Sequence, residues 1–274
     1  MESPKGNVAH VDVFDIKFVI DCGTIHLKTT SSYKFDPIFE DLRKYTDNFP
    51  HTKVSPIDQF KNAIETNCFL HLYDRQVVLI IPIFVTAIKL QSISQYLFDQ
   101  HNVRSILPLY DCLAALFPLG VSTGLVIDFG YGFTHVSPVN FYVPILKAAK
   151  VTSTATKTLF KSISAYFREM LNKLVEKGLN MPKFTSSDEI ILNNMLYFND
   201  AQMAEYLPTL GLENGLDFPS ILKEFLFYNS DIDYSVTETI LESLLDCPID
   251  SRKLLASNLV VTGGIASIPY LRYL

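Results

Sequence analysis

CPIDSRKLLASNLVVTGGIASIPYLRYL, Cys247 to Leu274, sets three elements in immediate succession. A polar, helix-compatible segment (Ser251 to Asn258) leads into an apolar strand (Leu259 to Thr262), and Gly263 and Gly264 break that strand. Two further strand–turn units lie upstream: KFVIDCGTIHLK, from Lys17, and GLVIDFGYGFTH, from Gly124. Each has an acid, any residue and a glycine directly after an apolar run. Three such turns predict a fold built from two similar halves.

The 274-residue chain is long enough for one large or two ordinary domains with cores that need no staples. Its 48% hydrophobic and 19% charged residues place it among globular proteins. A net charge of -6, with no Lys/Arg block, offers no general attraction to nucleic acid or anionic membrane. The longest apolar run, Val77 to Ile88, contains Pro82 and is too short to span a bilayer. Glu2, Lys5, Asp12, Asp15 and Lys17 interrupt any signal-peptide core. Cys22, Cys68, Cys112 and Cys247 are far apart and the histidines are scattered, which fits buried thiols in a reducing compartment better than disulfides or a zinc site.

Strands and helices alternate along the chain, which predicts an α/β fold. Val11 to Ile20 reads as a strand. Thr29 to Pro56, with three prolines, reads as loop carrying a short helix at Ile38 to Lys44. Pro56 to Leu72 has a helical apolar stripe with proline in the first turn. Val77 to Pro82 is a β-branched strand, Thr86 to Gln100 a helix, Ser105 to Pro108 a strand and Asp111 to Phe117 a helix. Leu125 to Asp128 and Phe133 to Val143 form a hairpin around Gly130 and Gly132. Thr152 to Lys177 is helical, ending at Gly178. Capping boxes at Ser186–Glu189 and Ser235–Glu238 open two more helices, and Tyr206 to Asp233 mixes helix with turns. The expected domains are 1–118, with a shortened small subdomain, and 119–274, with a helical insert at about 155–235.

A phosphate chain needs several backbone N–H groups aimed into one small volume, which a glycine hairpin supplies as an anion nest. A magnesium ion riding on the phosphates needs carboxylates, usually through water. Asp21-Cys-Gly23-Thr24 and Asp128-Phe-Gly130-Tyr-Gly132 offer both. Taken singly, Asp-X-Gly is ordinary hairpin chemistry.

The residues resemble the actin superfamily. KFVIDCGTIHLK is similar to its first phosphate hairpin and STGLVIDFGYGFTHVSPV to its second, while LVVTGGIASIPYL is similar to its adenosine-contacting turn. Within that family, Cys-Pro-Ile-Asp at 247–250 followed by Ser-Arg-Lys is most similar to the actin-related proteins of dynactin's pointed end. The resemblance implies a clamp of the actin, Hsp70 and hexokinase kind, with two ribonuclease-H-like halves and the returning C-terminal segment missing. It implies ATP or ADP with Mg held by Asp21, Gly23, Thr24, Lys28, Asp128, Gly130, Gly132, Gly263 and Gly264. Asp21 and Asp128 would face the metal through water, and His135 would stand behind the second hairpin.

Several positions depart from the family pattern. Ile25 replaces a second hairpin glycine, Tyr131 an acid, and Asp111 the glutamine that orients the attacking water. Ile265 and Ala266 replace hydroxyl residues. Hydrolysis depends on positioned water and metal, so little or no ATPase activity is expected, with no catalytic residue and nucleotide binding that survives or is lost. Lys28 to Val77 is too short for the loop-bearing subdomain that inserts into the next filament protomer, and more chain is expected beyond Leu274. The implied role is a non-polymerising cap on the dynactin filament in dynein-driven microtubule transport. Its partners would be the filament's actin-related protein and other pointed-end proteins, in the cytoplasm and cytoskeleton, with no nucleic acid and no membrane insertion. The alternatives are an ATP-hydrolysing enzyme or small-molecule kinase on the same fold, and an actin-related subunit of a chromatin-remodelling assembly.

Overall fold

The computed structural model describes residues 18–22, 26–31, 34–41, 61, 64, 72–176, 218–227, 234–268 and 271, with the backbone alone for 18–41. The chain divides into two compact units, Met1–Asp111 and Cys112–Leu274.

The first unit is built on a five-stranded sheet of β1 (Phe18–Cys22), β2 (His26–Ser31), β3 (Lys34–Asp41), β4 (Gln76–Ile81) and β5 (Ser105–Tyr110), in the order β3-β2-β1-β4-β5. β1 to β3 form an antiparallel meander, whereas β1, β4 and β5 run parallel. Helix α1 (Ala87–His101) supplies the crossover between β4 and β5. Thr86 caps it, its hydroxyl accepting from the Lys89 amide, and Asn102 stops it in the left-handed conformation. Val77, Leu79 and Ile81 on β4 pack with Ile93, Tyr96 and Leu97 of α1.

The meander corrects the loop and short helix expected after Thr29. Lys34–Asp41 is a strand, and Ile38 pairs with Thr29 instead of opening a helix. Pro37 is tolerated because β3 is the edge of the sheet and the register shifts between Thr29 and Ser31, beside the proline. Of the helix expected over Pro56 to Leu72, Lys61, Ile64 and Leu72 are described: Lys61 and Ile64 are helical, and Leu72 lies outside any helix. The expected strand residues before Phe18, and the capping box at Ser186, lie outside the described residues.

The second unit opens with α2 (Asp111–Leu116), which carries the chain across the division. Its sheet contains β6 (Gly124–Phe129), β7 (Thr134–Asn140), β8 (Val143–Pro144), β9 (Lys150–Thr152) and β10 (Leu259–Gly263). The order is β10-β6-β7-β8, with β9 also on β7. β10 runs parallel to β6, and β6 antiparallel to β7. Helices α3 (Thr156–Glu176), α4 (Phe218–Phe227), α5 (Val236–Asp246) and α6 (Ile249–Ser257) complete it. The core joins Leu125 and Val136 of the sheet to Cys247 and Leu255, with Ile240 and Leu244 packed against it. β6 is buried along nearly its whole length, as a central strand covered on both faces must be.

Helix α3 begins at Thr156, later than the sequence pattern indicated, because Lys150–Thr152 pairs with β7 as β9. β7 also stops earlier than expected. Phe141 and Tyr142 both adopt positive φ (50 and 60) and form the two-residue link to β8. Thr123 Oγ1 accepts from the Phe141 amide at 3.0 Å, and the Ser122 carbonyl from the Tyr142 amide at 2.7 Å. These bonds hold two bulky residues where glycine or asparagine is usual.

Ser235 caps α5 by accepting from the Glu238 amide, as its capping box requires. The Cys-Pro-Ile-Asp segment is the corner between α5 and α6. Arg252 reaches back across it, donating from Nε to the Cys247 carbonyl (2.9 Å) and from Nη2 to the Leu245 carbonyl (2.6 Å). A cation on the last carbonyls of α5 satisfies them and opposes the helix dipole. Asn258 then ties β10 to β6: its carbonyl accepts from the Leu125 amide, and its Nδ2 donates to the Thr123 carbonyl. Among the described residues no helix is long and apolar enough to cross a membrane.

Candidate functional site

The second sheet ends in a turn, Gly130-Tyr131-Gly132-Phe133, between β6 and β7. Gly130 is sterically required, since a Cβ there would stand 2.7 Å from the Phe133 carbonyl oxygen. Gly132 is not, because nothing lies within 4 Å of its Cβ position. The start of α3 packs on this turn. Thr156 donates to the Gly130 carbonyl from both its amide (3.1 Å) and its hydroxyl (2.8 Å), and the Lys157 amide donates to the Tyr131 carbonyl at 2.9 Å. Thr134 Oγ1 donates to the Thr154 carbonyl at 2.6 Å, and Thr152 Oγ1 to the Tyr234 carbonyl at 2.9 Å. Among the described residues, no acceptor takes the amides of Tyr131, Gly132 and Phe133. Successive amides left open in a turn fit an anion.

Strand pairing lines up Thr262, Asp128, His135 and Val151 as one row across β10, β6, β7 and β9. Directly paired residues share a face of the sheet, so the Asp128 carboxylate and the His135 imidazole are neighbours. Burial pushes the His135 pKa below its ordinary value of 6.5, which keeps the ring neutral. The unfolded chain therefore takes up a proton near pH 6.5 that the folded chain refuses. Stability is complete above that pH and falls as pH drops from 6.5 toward the folded pKa. The expected slope there is at most about 1.4 kcal/mol per pH unit. Urea titrations at pH 7.5 and 5.5 check it: His135→Gln should lose less stability over the interval than the wild type, and equal losses would assign the pH dependence elsewhere.

Gly263 closes the same end of the sheet. It pairs with Phe129 across the parallel ladder at φ 88 and ψ -177. A Cβ on it would lie 2.8 Å from Asp128 Oδ1, 2.7 Å from the Phe129 carbonyl carbon, and closer still to the Phe129 oxygen. The Asp128 carboxylate therefore leans over the glycine turn. Gly264 starts a 3₁₀ turn, Gly264–Ser267, in which Ile265 is fully buried.

Asp128, Gly130, Gly132, Gly263 and Gly264 thus gather at one end of one sheet. In the first unit, Asp21 on β1 stands opposite Lys28 on β2 and beside Ile80 on β4. Gly23 and Thr24, with Ile25, lie outside the described residues. Asp111 opens α2. The donors at the start of α3 were missed from sequence; the available signal was the hydroxyl-rich run Thr152-Ser-Thr-Ala-Thr156. Chemically, the open amides can take a phosphate group, and Asp128 can accept from water on a divalent cation.

Comparison with known proteins agrees with this architecture. The family profile described as Actin matches residues 60–209. Actin-related protein 10 of Dictyostelium discoideum is 25% identical over 214 residues, covering 70% of this chain and 44% of that protein. Actin-related protein 3 of Drosophila melanogaster is 24% identical over 261 residues, covering 82% and 62%. Actin-like protein ARP6 of Yarrowia lipolytica is 29% identical over 177 residues, covering 53% and 45%. The chain therefore spans about half the length of the relatives it matches. With a profile match over more than half of its residues, on a fold whose second sheet ends in paired glycine turns, the chain belongs to the actin family.

Proposed function

We propose that this chain is a non-hydrolysing actin-related subunit that caps the pointed end of dynactin's short filament. The observation that carries the non-catalytic half is the end of the second sheet. Its anion-facing turn is retained, but Tyr131 stands where the resemblance implies an acid, and Ile265 fills the core where it implies a hydroxyl. Losing a carboxylate near the metal and a polar group near the nucleotide removes transition-state stabilisation, while anion binding by backbone amides survives. ATP or ADP with Mg is then a structural ligand, for which the second unit supplies the Gly130–Phe133 turn and Asp128.

The Cys247–Arg252 corner supports the dynactin assignment, through its likeness to the pointed-end actin-related proteins. A cap follows physically when one face joins a filament and the other cannot propagate it, since heterologous contacts otherwise extend indefinitely. Expected partners are the filament's actin-related protein and the other pointed-end subunits, in the cytoplasm.

Single-turnover phosphate release from purified protein loaded with MgATP tests the chemistry. The expected rate equals that of an Asp128→Ala control, and release clearly above it overturns the non-hydrolysing reading. Affinity purification from cells tests the assembly. Dynactin subunits are expected; their complete absence, or recovery with chromatin-remodelling subunits, overturns the pointed-end reading.

A further inference from the structure

We infer that the first turn of α3 is the positioning element that gives the Gly130–Phe133 turn its anion-binding form, with Thr156 as the positioning residue. This rests on the reading of that turn as a phosphate cradle. An α-helix leaves its first amides without intrahelical partners, and in many proteins those amides face an anion directly. Here they do not. The Thr156 amide and hydroxyl converge on the Gly130 carbonyl, and the Lys157 amide takes the Tyr131 carbonyl.

The consequence follows from peptide geometry. In a trans peptide the carbonyl of one residue and the amide of the next point in opposite directions. Binding the Gly130 and Tyr131 carbonyls to α3 therefore aims the amides of Tyr131 and Gly132 away from the helix. These are two of the three amides that no acceptor takes among the described residues. The donors of α3 thus act on the ligand through the turn, by fixing two peptide planes.

Thr156 is suited to this work. It is 6% exposed, so its hydroxyl has little competing water, and it adds a second donor to a carbonyl that the helix amide already holds. Thr134, donating to the Thr154 carbonyl, holds the segment before α3 against β7. The turn, β7 and the start of α3 therefore form one hydrogen-bonded unit. Anion occupancy at the amides should tighten the bonds on the far side of the same peptides, because hydrogen bonds in a chain polarise one another.

The test is a titration of the whole chain with pyrophosphate and with MgATP, followed by amide chemical shifts. In the wild type, the Tyr131 and Gly132 amides are expected to shift on binding. Thr156→Val keeps the side-chain shape but loses the donor, and should weaken binding about 3- to 10-fold, the range of one net hydrogen bond. Thr156→Ser keeps the donor and should stay within about 2-fold of wild type. Equal affinity for Thr156→Val and wild type overturns the positioning role while leaving the phosphate cradle intact. No shift at Tyr131 and Gly132 in the wild type overturns the cradle itself and the inference with it. If Thr156→Val does not fold, hydrogen exchange in the wild type decides. Ligand should slow exchange of the Thr156 and Lys157 amides along with those of the turn, and slowing confined to the turn overturns the coupling.

Discussion

Gly263→Ala is expected to cost the second unit about 2–6 kcal/mol, from two effects that add. Gly263 sits at φ 88 and ψ -177, a region essentially closed to residues with a Cβ, at about 1–3 kcal/mol. The new methyl would also meet the Phe129 carbonyl and Asp128 Oδ1, the latter at 2.8 Å. The carboxylate can rotate aside; the carbonyl cannot, because Phe129 is held in the ladder between β10 and β7. Relief requires β10 to move from β6, and overpacking of this kind typically costs a further 1–3 kcal/mol, by rough mutational averages. Against a typical total of about 5–15 kcal/mol, that is a large fraction. Urea unfolding followed by circular dichroism measures it, with Gly132→Ala as the control. The control's methyl enters open space and should change stability by less than about 0.5 kcal/mol. A Gly263→Ala loss under about 1 kcal/mol would show that β10 and β6 separate easily at this end.

The contrast between these glycines bears on how the site could be read in advance. The apolar run in β6 was legible because a strand with both faces covered needs continuous hydrophobic residues. β10 carries a similar run although Leu259 and Val261 are exposed, and VIDFG and VVTGG announce where each run must stop. The edge strand β3 was not, since an edge next to a register shift accepts the proline that a sequence reading takes as loop. Phe141 and Tyr142 defeated the pattern more completely. A two-residue turn with both residues at positive φ is recognised by glycine or asparagine, and here amide bonds to Ser122 and Thr123 substitute for that freedom.

The site divides along the same line. Glycine and aspartate at the strand ends were visible as residue types with few other uses. Thr152 and Thr156 were not, because threonine is common in strands and at helix starts for reasons unconnected with a ligand. Their importance lies in the acceptors they find, and Gly130 and Tyr234 are distant from them in sequence. Long-range partners of a short polar side chain leave no local pattern.

Ile265→Thr carries the second large effect, and it tests whether the departure from a hydroxyl is reversible. Ile265 is fully buried in the 3₁₀ turn after Gly264, close to Ile268, which is equally buried. Threonine would remove apolar volume worth about 1–1.5 kcal/mol and bury a hydroxyl costing roughly 1–3 kcal/mol unless it finds a partner. A loss of about 2–4 kcal/mol in the urea-derived stability is therefore expected. Ala266→Ser, at a half-buried position, should stay within about 0.5 kcal/mol. Neither substitution should raise single-turnover phosphate release, because Tyr131 remains between the two turn glycines. A stable Ile265→Thr variant would mean that a carbonyl in the turn accepts the new hydroxyl and that the position can still face a ligand. The expected loss would mean instead that the core has taken this residue over, so that regaining a polar contact there requires repacking the turn as well as changing one side chain.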